Sequence, residues 1–322
     1  MKLSIVATLY HSAEHLEGFY SRVSAAARTL AGEDHEIILV NDGSPDRSLE
    51  LAINLTRLDR HVIVVDLSRN FGHYKAIMAG LAETRGDQVF LIDSDLEEAP
   101  EWLLSFSEQL TAESCDVVYG VQHKRKGGYF ERWSGKVFYK IFKLLTGLSS
   151  PENITTARLM SRRYVNALLL HQEREVFLAG LFIITGFDQK PQRVTKGATS
   201  QTTYTLRRKL SAFVNSVTSF SNAPLTAIFY TGVTISCGAA IYTGYLVIKW
   251  LCYARPPTGW TSVMASIWLL HGLLISFVGI IGIYLSKIFS ESKCRPNSIV
   301  RQIYGHQPAT GAASTKTSSN LH

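Results

Sequence analysis

The chain has few cysteines and lacks the two commonest glycine-rich phosphate-binding motifs. Its four cysteines, in 322 residues, show no paired spacing, so reduced thiols are expected rather than a disulfide framework. No G-x-G-x-x-G follows the first predicted strand, and no G-x-x-x-x-G-K-[ST] is present. A nicotinamide-dependent dehydrogenase and a P-loop ATPase are therefore disfavoured. The N-terminal apolar run is too short for a signal peptide, and no cleavage region follows it.

Charge is missing from two long stretches in the C-terminal third. Leu225–Ile248 contains no charged side chain, and the only titratable groups in Trp260–Ser286 are His271 and Tyr284. Each stretch exceeds the roughly 20 residues that span the ~30 Å hydrocarbon core of a bilayer. The sequence therefore predicts two transmembrane helices, at 225–251 and 260–286.

The flanking charges predict the orientation of these helices. Lysine and arginine cluster before the first stretch and after the second, whereas the connection between them carries chiefly Arg255. Because cytoplasmic flanks are enriched in basic residues, we expect both termini in the cytoplasm and a multi-pass protein of the inner (plasma) membrane. The predicted organisation is a cytoplasmic domain (1–204), a juxtamembrane amphipathic segment (205–224), the two helices, and a cytoplasmic tail (287–322) with a disordered end.

Apolar runs typical of strands alternate with helical patterns in the N-terminal domain. Strands are predicted at Leu3–Leu9, Glu36–Val40, His61–Leu67, Gln88–Ile92 and Asp116–Tyr119. Helices are predicted at Ser12–Leu30, Asp46–Leu58, Tyr74–Thr84 and Pro100–Leu110. This alternation indicates an α/β domain with a mainly parallel sheet covered on both faces. Ligands of such sheets bind beyond the carboxyl ends of the strands.

Two carboxylates, Asp93 and Asp95, follow the fourth predicted strand. On an extended strand end, residues i and i+2 point the same way, so both could hold one hard divalent cation. The alternative is structural: Asp95 would cap a helix that starts at Leu96, with Pro100 in its first turn.

Three segments together resemble a known family. They are Val40-Asn-Asp42-Gly-Ser-Pro-Asp46, Ser68-Arg69-Asn70-Phe71-Gly72 and Asp93-Ser-Asp95-Leu-Glu-Glu-Ala-Pro100-Glu101. Over about residues 1–290 the chain resembles a family-2 glycosyltransferase, and more narrowly the polyprenyl-phosphate glycosyltransferases. The resemblance implies a GT-A-type nucleotide-sugar-binding domain, a nucleotide-sugar donor, a polyprenyl phosphate acceptor, and Mg²⁺ or Mn²⁺ as cofactor.

The resemblance also implies roles for individual residues on the donor side. Asp42 would contact the base and ribose; its alternative role is a turn that binds the amide of Ser44. Asp93 and Asp95 would bind the diphosphate and the metal, with Glu97 as a further ligand. The remaining expected donor contacts are Thr8, Tyr10, Glu14, Arg69 and Asn70. Arg69 could equally be a cation of a surface loop.

On the acceptor side, the resemblance implies a basic phosphate-binding group. Its members are Lys124, Arg125, Arg132 and Ser134, and Arg132 joins Asp93 and Asp95 as an expected catalytic residue. Relatives commonly carry arginine where this chain has Gln122. Basic residues at helical spacing along Phe130–Leu145 suit an anionic membrane surface, although a solvated helix face would have the same pattern.

The main departure from the family pattern lies at Thr156. Many relatives have aspartate at this position, a candidate base, so this chain lacks that carboxylate. A phosphate monoester has a second pKa near 6 and is largely ionised at neutral pH, so it needs no base. A hydroxyl acceptor would need one. The missing aspartate therefore favours a lipid-phosphate acceptor. In the loop expected to close over the diphosphate, Lys196, Arg207 and Arg208 are the basic candidates.

Two other functions compete with this interpretation. An enzyme of the same fold could add a sugar to a lipid-linked saccharide. A transport or scaffold protein is disfavoured, because neither apolar stretch has an Asp, Glu, Lys or Arg in its interior. Small-residue pairs such as Ala240/Gly244 could pack the helices within one chain or in a homo-oligomer. No nucleic-acid partner is expected.

Overall fold

The computed structural model describes residues 2–122, 153–173, 178–197, 218, 221–253 and 259–305. Within these residues, eight strands form one sheet in the order β7-β5-β6-β4-β1-β2-β3-β8. The strands are β1 (Leu3–Leu9), β2 (His35–Asn41), β3 (Val62–Leu67), β4 (Gln88–Leu91), β5 (Val117–Gln122), β6 (Ile154–Ser161), β7 (Gln189–Val194) and β8 (Val300–Tyr304). The predicted α/β class is confirmed.

The centre of the sheet is parallel. β3, β2, β1 and β4 run parallel in that spatial order, and β5 is parallel to β7. β6 is antiparallel to both β4 and β5, and β8 is antiparallel to β3. These four adjacent parallel strands, β3, β2, β1 and β4, consist mostly of apolar residues. Both of their faces are buried, because helices cover both sides of the sheet.

Eight helices are described, and the first six divide between the two faces of the sheet. The eight helices are α1 (Leu16–Ala31), α2 (Ser48–Leu58), α3 (His73–Ala82), α4 (Trp102–Ala112), α5 (Arg162–Leu168), α6 (Leu178–Ile184), α7 (Ala223–Tyr253) and α8 (Trp260–Ser292). One core contains Phe19 of α1, Ala52 of α2 and Phe106 of α4. The opposite core contains Ile77 of α3, Tyr164 of α5 and Leu181 of α6.

Three predicted helices start late: α1 by four residues, and α2 and α4 by two residues each. Helix α1 begins at Leu16 rather than Ser12, because the hydroxyl of Ser12 already accepts the Tyr10 N–H at 3.1 Å and the Ser12 N–H donates to Ser48 Oγ at 3.0 Å. Helix α4 was predicted from Pro100 and begins at Trp102, with Glu101 as its N-cap, so no helix starts at Leu96. The interpretation of Asp95 as a helix cap is therefore wrong.

Two long helices occupy the apolar C-terminal stretches. Among the described residues, Leu270–Ser292 of α8 is long and apolar enough to cross a membrane, whereas α7 contributes the shorter apolar segment Ala223–Ile235. Large apolar side chains of both helices are exposed, including Ile241 at 76% and Ile275 at 72%. The Tyr284 hydroxyl donates to the Ser221 carbonyl at 2.6 Å and ties α8 to the start of α7. A second membrane span stays a prediction.

The segment after α8 returns to the sheet. β8 pairs with β3, the Ser68 N–H donates to the Ile299 carbonyl at 2.9 Å, and Asn297 Nδ2 donates to the Glu173 carbonyl at 3.0 Å. Arg301 of β8 lies 3.2 Å from Oδ2 of the buried Asp66. The predicted tail therefore contains a structural strand of the N-terminal domain.

Candidate active site

Loops from three parallel strands meet at the carboxyl edge of the sheet. The Ser94 hydroxyl, after β4, donates to the Thr8 carbonyl of β1 at 2.8 Å and lies 3.1 Å from Ser12 Oγ. The Asp42 N–H, after β2, donates to the Leu9 carbonyl at 3.1 Å. The acidic segments that follow β2 and β4 therefore lie at the same edge of the sheet.

Asp42 holds two of these loops together. Its carboxylate is 2% exposed and accepts the backbone N–H groups of Phe71 at 2.7 Å and Gly72 at 3.0 Å. Burial nevertheless raises the pKa of this carboxyl. The Ser44 N–H instead donates to Asn41 Oδ1 at 3.2 Å. The turn expected at Asp42 is thus formed by Asn41, because Asp42 faces the loop at 69–72.

Gly43 allows this loop contact. Its φ is +59°, and a Cβ placed there would lie 2.5 Å from the Asn70 nitrogen and 2.6 Å from the Arg69 carbonyl carbon. Gly32 has the same φ of +59°, but nothing lies within 4 Å of its Cβ position. The two glycines therefore share a positive φ but differ in the space available for a side chain.

We expect Gly43→Ala to lower the free energy of unfolding by about 2–4 kcal/mol, since it combines positive-φ strain with a collision against backbone. Gly32→Ala, with the strain alone, should cost about 1–2 kcal/mol. Urea denaturation of both variants measures the difference. Equal losses would show that the 69–70 loop moves away freely and that the contact does not fix it.

The acidic segment after β4 is a turn rather than an extended strand end. β4 ends at Leu91, Leu96 has a φ of +61°, and Asp95 Oδ1 accepts the Glu97 N–H at 3.0 Å. The prediction that Asp93 and Asp95 point the same way from an extended strand end is therefore wrong. The two carboxylates are still close enough to interact: burial and then the Asp95 charge raise the pKa of Asp93 to about 6.

His73 connects this acidic segment to β1. Its Nδ1 lies 3.1 Å from Thr8 Oγ1, and its Nε2 lies 3.5 Å from Asp93 Oδ1. Burial lowers the pKa of His73, so the neutral imidazole prevails at neutral pH. The sequence analysis missed this residue, although it directly follows the Ser68–Gly72 segment.

A buried ion pair lies beside Asp93, and the sequence analysis did not identify its carboxylate. Glu98 is fully buried; its Oε1 accepts the Thr156 N–H at 2.9 Å and lies 3.0 Å from Lys196 Nζ. Its Oε2 has no hydrogen-bond partner in the described part of the chain. Burial and the charge of Asp93 raise the pKa of Glu98 to about 7. Lys196 Nζ also lies 3.7 Å from Glu97, so it is the cation of this acidic group.

The other predicted donor residues differ in their exposure. Thr8 is buried beside His73, whereas Tyr10 is 50% exposed and Glu14, Arg69 and Asn70 are exposed. The Arg69 guanidinium lies 4.2 Å from the centre of the Phe71 ring. The predicted acceptor group of Lys124, Arg125, Arg132 and Ser134 lies outside the described residues, as do Arg207 and Arg208.

The acidic segment suits one mode of metal binding. Within the ranges that the structure describes, no three His, Cys, Asp or Glu side chains form a metal-binding group. Mg²⁺ is commonly held by only one or two carboxylates, with water and substrate phosphate completing its shell. Asp93 and Asp95 fit that requirement, whereas Glu97 lies near Lys196.

A cavity of about 420 Å³ adjoins Asp93 on the side of α3 and α6. Thr156, whose side chain is hydrogen-bonded to Asp93, lies at the boundary between the acidic segment and this cavity. The lining also contains Arg158, which is 4% exposed, and Tyr119. Most of the remaining wall is apolar, with Ile77, Leu178, Ala179, Phe182, Ile183 and Phe187.

Comparison with known proteins identifies the class. The model of the family described as "Glycosyl transferase family 2" matches residues 4–169, which is just over half of the chain. A protein of Mycobacterium tuberculosis described as a glycosyltransferase is 48% identical over 310 residues, covering 96% of this chain and 90% of the relative. The chain belongs to glycosyl transferase family 2. It is a glycosyltransferase that uses a nucleotide-sugar donor.

More distant relatives carry more specific descriptions. The bactoprenol glucosyl transferase of Shigella phage SfV is 28% identical over 313 residues, which cover 94% of this chain and 98% of that protein. Among solved structures, glucosyl-3-phosphoglycerate synthase from Mycobacterium tuberculosis, in complex with Mn²⁺, UDP-glucose and phosphoglyceric acid, is 21% identical. Its TM-score is 0.44, and the match covers 66% of this chain and 75% of that one.

Proposed function

We propose that this enzyme transfers a sugar from a nucleotide sugar to a polyprenyl phosphate, such as undecaprenyl phosphate, at the cytoplasmic face of the membrane, with inversion at the anomeric carbon. The observation that carries the proposal is the position of Asp93. This partly buried carboxylate lies at the carboxyl edge of the sheet, between the nucleotide-side residue Thr8 and a cavity that contains no base at position 156. Similarity to bactoprenol glucosyl transferases supports the acceptor class.

On the donor side, the loops around Asp42 and Arg69 would bind the nucleoside, and Asp93 would face the diphosphate. Asp93 and Asp95 are the residues that would hold Mg²⁺ or Mn²⁺, which when bound offsets the negative charge that develops on the leaving diphosphate. Lys196 lies in the same acidic group and provides a resident positive charge. Neutral His73 fixes the orientation of Asp93 relative to β1.

On the acceptor side, the reaction needs no protein base. The acceptor phosphate is already ionised, so an oxygen of this phosphate can attack the anomeric carbon directly while the nucleoside diphosphate leaves. The site must then position the phosphate and exclude water. Lys124, Arg125, Arg132 and Ser134 remain candidate phosphate ligands on the grounds of the family resemblance.

Transfer to a lipid-linked saccharide is the second candidate. A hydroxyl acceptor would need a general base, and Glu98 has a pKa raised to about 7. However, its carboxylate is fully buried and already bonded to Thr156 N and Lys196, so a substrate hydroxyl cannot reach it without a rearrangement. This arrangement disfavours the second candidate.

The test is a screen of nucleotide sugars with purified enzyme, scored by the mass of the lipid product. Undecaprenyl phosphate and undecaprenol serve as matched acceptors that differ only in the phosphate. We expect a product with the phosphate and none with the alcohol. Transfer to undecaprenol or to a saccharide hydroxyl, with undecaprenyl phosphate left unmodified, would refute the proposed function.

The return of β8 supports two membrane crossings. The domain precedes α7, and the strand that follows α8 joins the same sheet, so the chain must cross the membrane an even number of times between them. If α8 spans the membrane, α7 must span it as well. The basic residues outside this helical pair favour the cytoplasm for the domain.

We therefore expect a cysteine introduced at Thr258 to react with an impermeant thiol reagent in intact cells. A cysteine at Ser314 should react only after the cells are opened. Both single cysteines are placed in a background from which the four natural cysteines have been removed. Labelling of Ser314 but not Thr258 in intact cells would reverse the orientation, and labelling of both would exclude a helical pair that crosses twice.

A further inference from the structure

Arg158 is a buried cation that makes no salt bridge to a carboxylate in the described part of the chain. Its guanidinium is 4% exposed, with Nε 3.2 Å from the Thr156 carbonyl and Nη2 3.4 Å from the Thr155 carbonyl. Among the described residues, no carboxylate lies within 4.0 Å of it. Glu98 and Asp93 act on it only from a greater distance, and Glu98 is paired with Lys196.

Such an arrangement is costly for the protein alone. Removing a charge from water is unfavourable unless an opposite charge and hydrogen bonds replace the lost solvent. Burial lowers the pKa of Arg158 to about 10, which still leaves the guanidinium charged at neutral pH. The two carbonyl bonds use only part of its five N–H donors, since Nη1 has no hydrogen bond to any described residue.

The surroundings hold the guanidinium in place at the cavity. It stacks on the Phe182 ring, with 3.3 Å between Cζ and the ring centre. Phe182 is fixed in turn, because its carbonyl accepts Tyr164 Oη at 3.0 Å and Gln189 Nε2 at 2.6 Å. Burial raises the pKa of Tyr164 to about 12, so it brings no negative charge. Asp188 also lines the cavity, but its carboxylate is half exposed and lies 3.3 Å from Lys190 Nζ.

The walls indicate what kind of anion would enter. Side chains of Ile77, Leu178, Ala179 and Ile183 line the cavity, and the exposed Phe187 lies at its rim. A sugar acid could pair its hydroxyls with polar lining residues such as His73, Thr156 and Gln189, but it would leave the apolar part of the wall uncovered. A lipid phosphate combines one anionic head with an apolar chain, and it matches both the cation and the walls.

We propose that Arg158 binds the phosphate of the polyprenyl phosphate acceptor and that the cavity receives the first isoprenoid units. This inference rests on the proposed function and identifies an acceptor contact within the described residues, separate from the Lys124–Ser134 group. The cavity adjoins Thr156 and Asp93, so a phosphate there would lie beside the site of transfer.

Binding of a short soluble probe tests this directly. Geranyl phosphate and geraniol share one apolar chain and differ in the phosphate. By calorimetry on the full-length protein, we expect wild type to bind geranyl phosphate at least tenfold more tightly than geraniol. Arg158→Met should weaken binding of geranyl phosphate at least tenfold. Arg158→Lys should recover only part of the loss, because lysine lacks the planar fork and the stack on Phe182.

A second variant tests the cavity without changing the buried charge of Arg158. Ala179→Phe fills the cavity while Arg158 stays, and should also weaken geranyl phosphate binding at least tenfold. Arg60→Met is the matched control: Arg60 is an exposed arginine paired with Glu33 at the opposite edge of the sheet. UDP binding should stay within twofold in every variant that retains the wild-type unfolding transition.

The results of these experiments distinguish a failure of the proposed acceptor site from a failure of the proposed function. Unchanged geranyl phosphate affinity in both Arg158→Met and Ala179→Phe, or equal affinity of wild type for geraniol, would overturn the inference. The inference would also be overturned if Arg158→Met lost only the binding of UDP-glucuronic acid and kept that of geranyl phosphate. Arg158 would then bind an acidic donor sugar. In turnover, the variants should raise the KM for undecaprenyl phosphate with little change in the donor KM. Absence of wild-type transfer to any polyprenyl phosphate would refute the function, whereas the calorimetry still reports on the site.

Discussion

Replacing Asp93 with asparagine should abolish most glycosyl transfer and, in metal-free protein, raise the melting temperature. Burial and the neighbouring Asp95 charge raise the pKa of Asp93 to about 6, from 3.8. At pH 7.5 the folded protein therefore carries an unfavourable charge, at a cost of up to about 2–3 kcal/mol. Asparagine keeps the shape and removes the charge. We expect a gain of several degrees in the melting temperature together with at least a ~100-fold loss of turnover.

The pH dependence of this stability difference has a definite sign. Because the folded-state pKa is raised, the penalty is absent below about pH 4, where Asp93 is protonated in both states, and it grows as the pH rises towards 6. The advantage of Asp93→Asn should therefore be full at pH 7.5 and vanish near pH 4. Scanning calorimetry at several pH values measures it. A variant that is less stable than wild type at pH 7.5 would show that the carboxylate is structurally satisfied.

Metal removal should have the same catalytic effect as this substitution. EDTA should abolish transfer, and Mg²⁺ or Mn²⁺ should restore it, while Asp95→Asn should lose most activity. The matched control is Asp87→Asn, an exposed aspartate just before β4 at the opposite edge of the sheet. Full activity in EDTA, or in both Asp93→Asn and Asp95→Asn, would exclude the metal-diphosphate assignment.

Deleting the last strand should prevent the catalytic domain from folding stably, even though β8 follows the predicted membrane helices. β8 covers the edge of β3, whose six residues are all buried, and Arg301 lies 3.2 Å from the carboxylate of Asp66. Asp66 is 1% exposed and also accepts from Asn41 Nδ2 at 2.8 Å, next to the loop of Asp42. Without residues 299–322 we expect aggregation and loss of nucleotide-sugar binding.

Two shorter changes test this explanation. Removing only residues 306–322 leaves β8 complete and should be neutral. Arg301→Met should lower the unfolding free energy by about 1–2 kcal/mol, because Asp66 keeps one partner and the arginine is half exposed. Size-exclusion chromatography and thermal unfolding in detergent report both effects. If the protein that lacks residues 299–322 is monodisperse and still binds its nucleotide sugar, β8 has no structural role.

The sequence predicted the parallel half of the sheet because its strands are apolar throughout. Leu3–Leu9 was predicted with the observed bounds, and the bounds of the next three strands were predicted to within one residue. A fifth strand was predicted at Asp116–Tyr119, whereas β5 spans Val117–Gln122. The last three strands, β6 to β8, were not predicted. β7 contains Lys190, Pro191 and Gln192, and β8 is short and largely exposed. Their pairing depends on neighbours that are distant in sequence, so local periodicity could not predict them.

The same limit applies to the candidate site. Asp42, Asp93 and Asp95 were predicted because each belongs to a short motif at the end of a strand. Glu98 and Arg158 were not assigned, because their importance comes from burial and from contacts with residues about 60 and 25 positions away in the chain. His73 lay within reach of sequence analysis, since it follows a recognised motif, but its contact with Asp93 required the fold.

The position of β8 also determines the order in which the protein can be completed during synthesis. Domains generally fold as the chain emerges, N-terminal part first. Here the edge of β3 stays unprotected until the ribosome has made both long helices and the residues up to Tyr304. An unpaired strand edge invites pairing with other chains. Synthesis of both long helices therefore precedes closure of the sheet, and the nascent enzyme becomes resistant to aggregation only after these helices have been made.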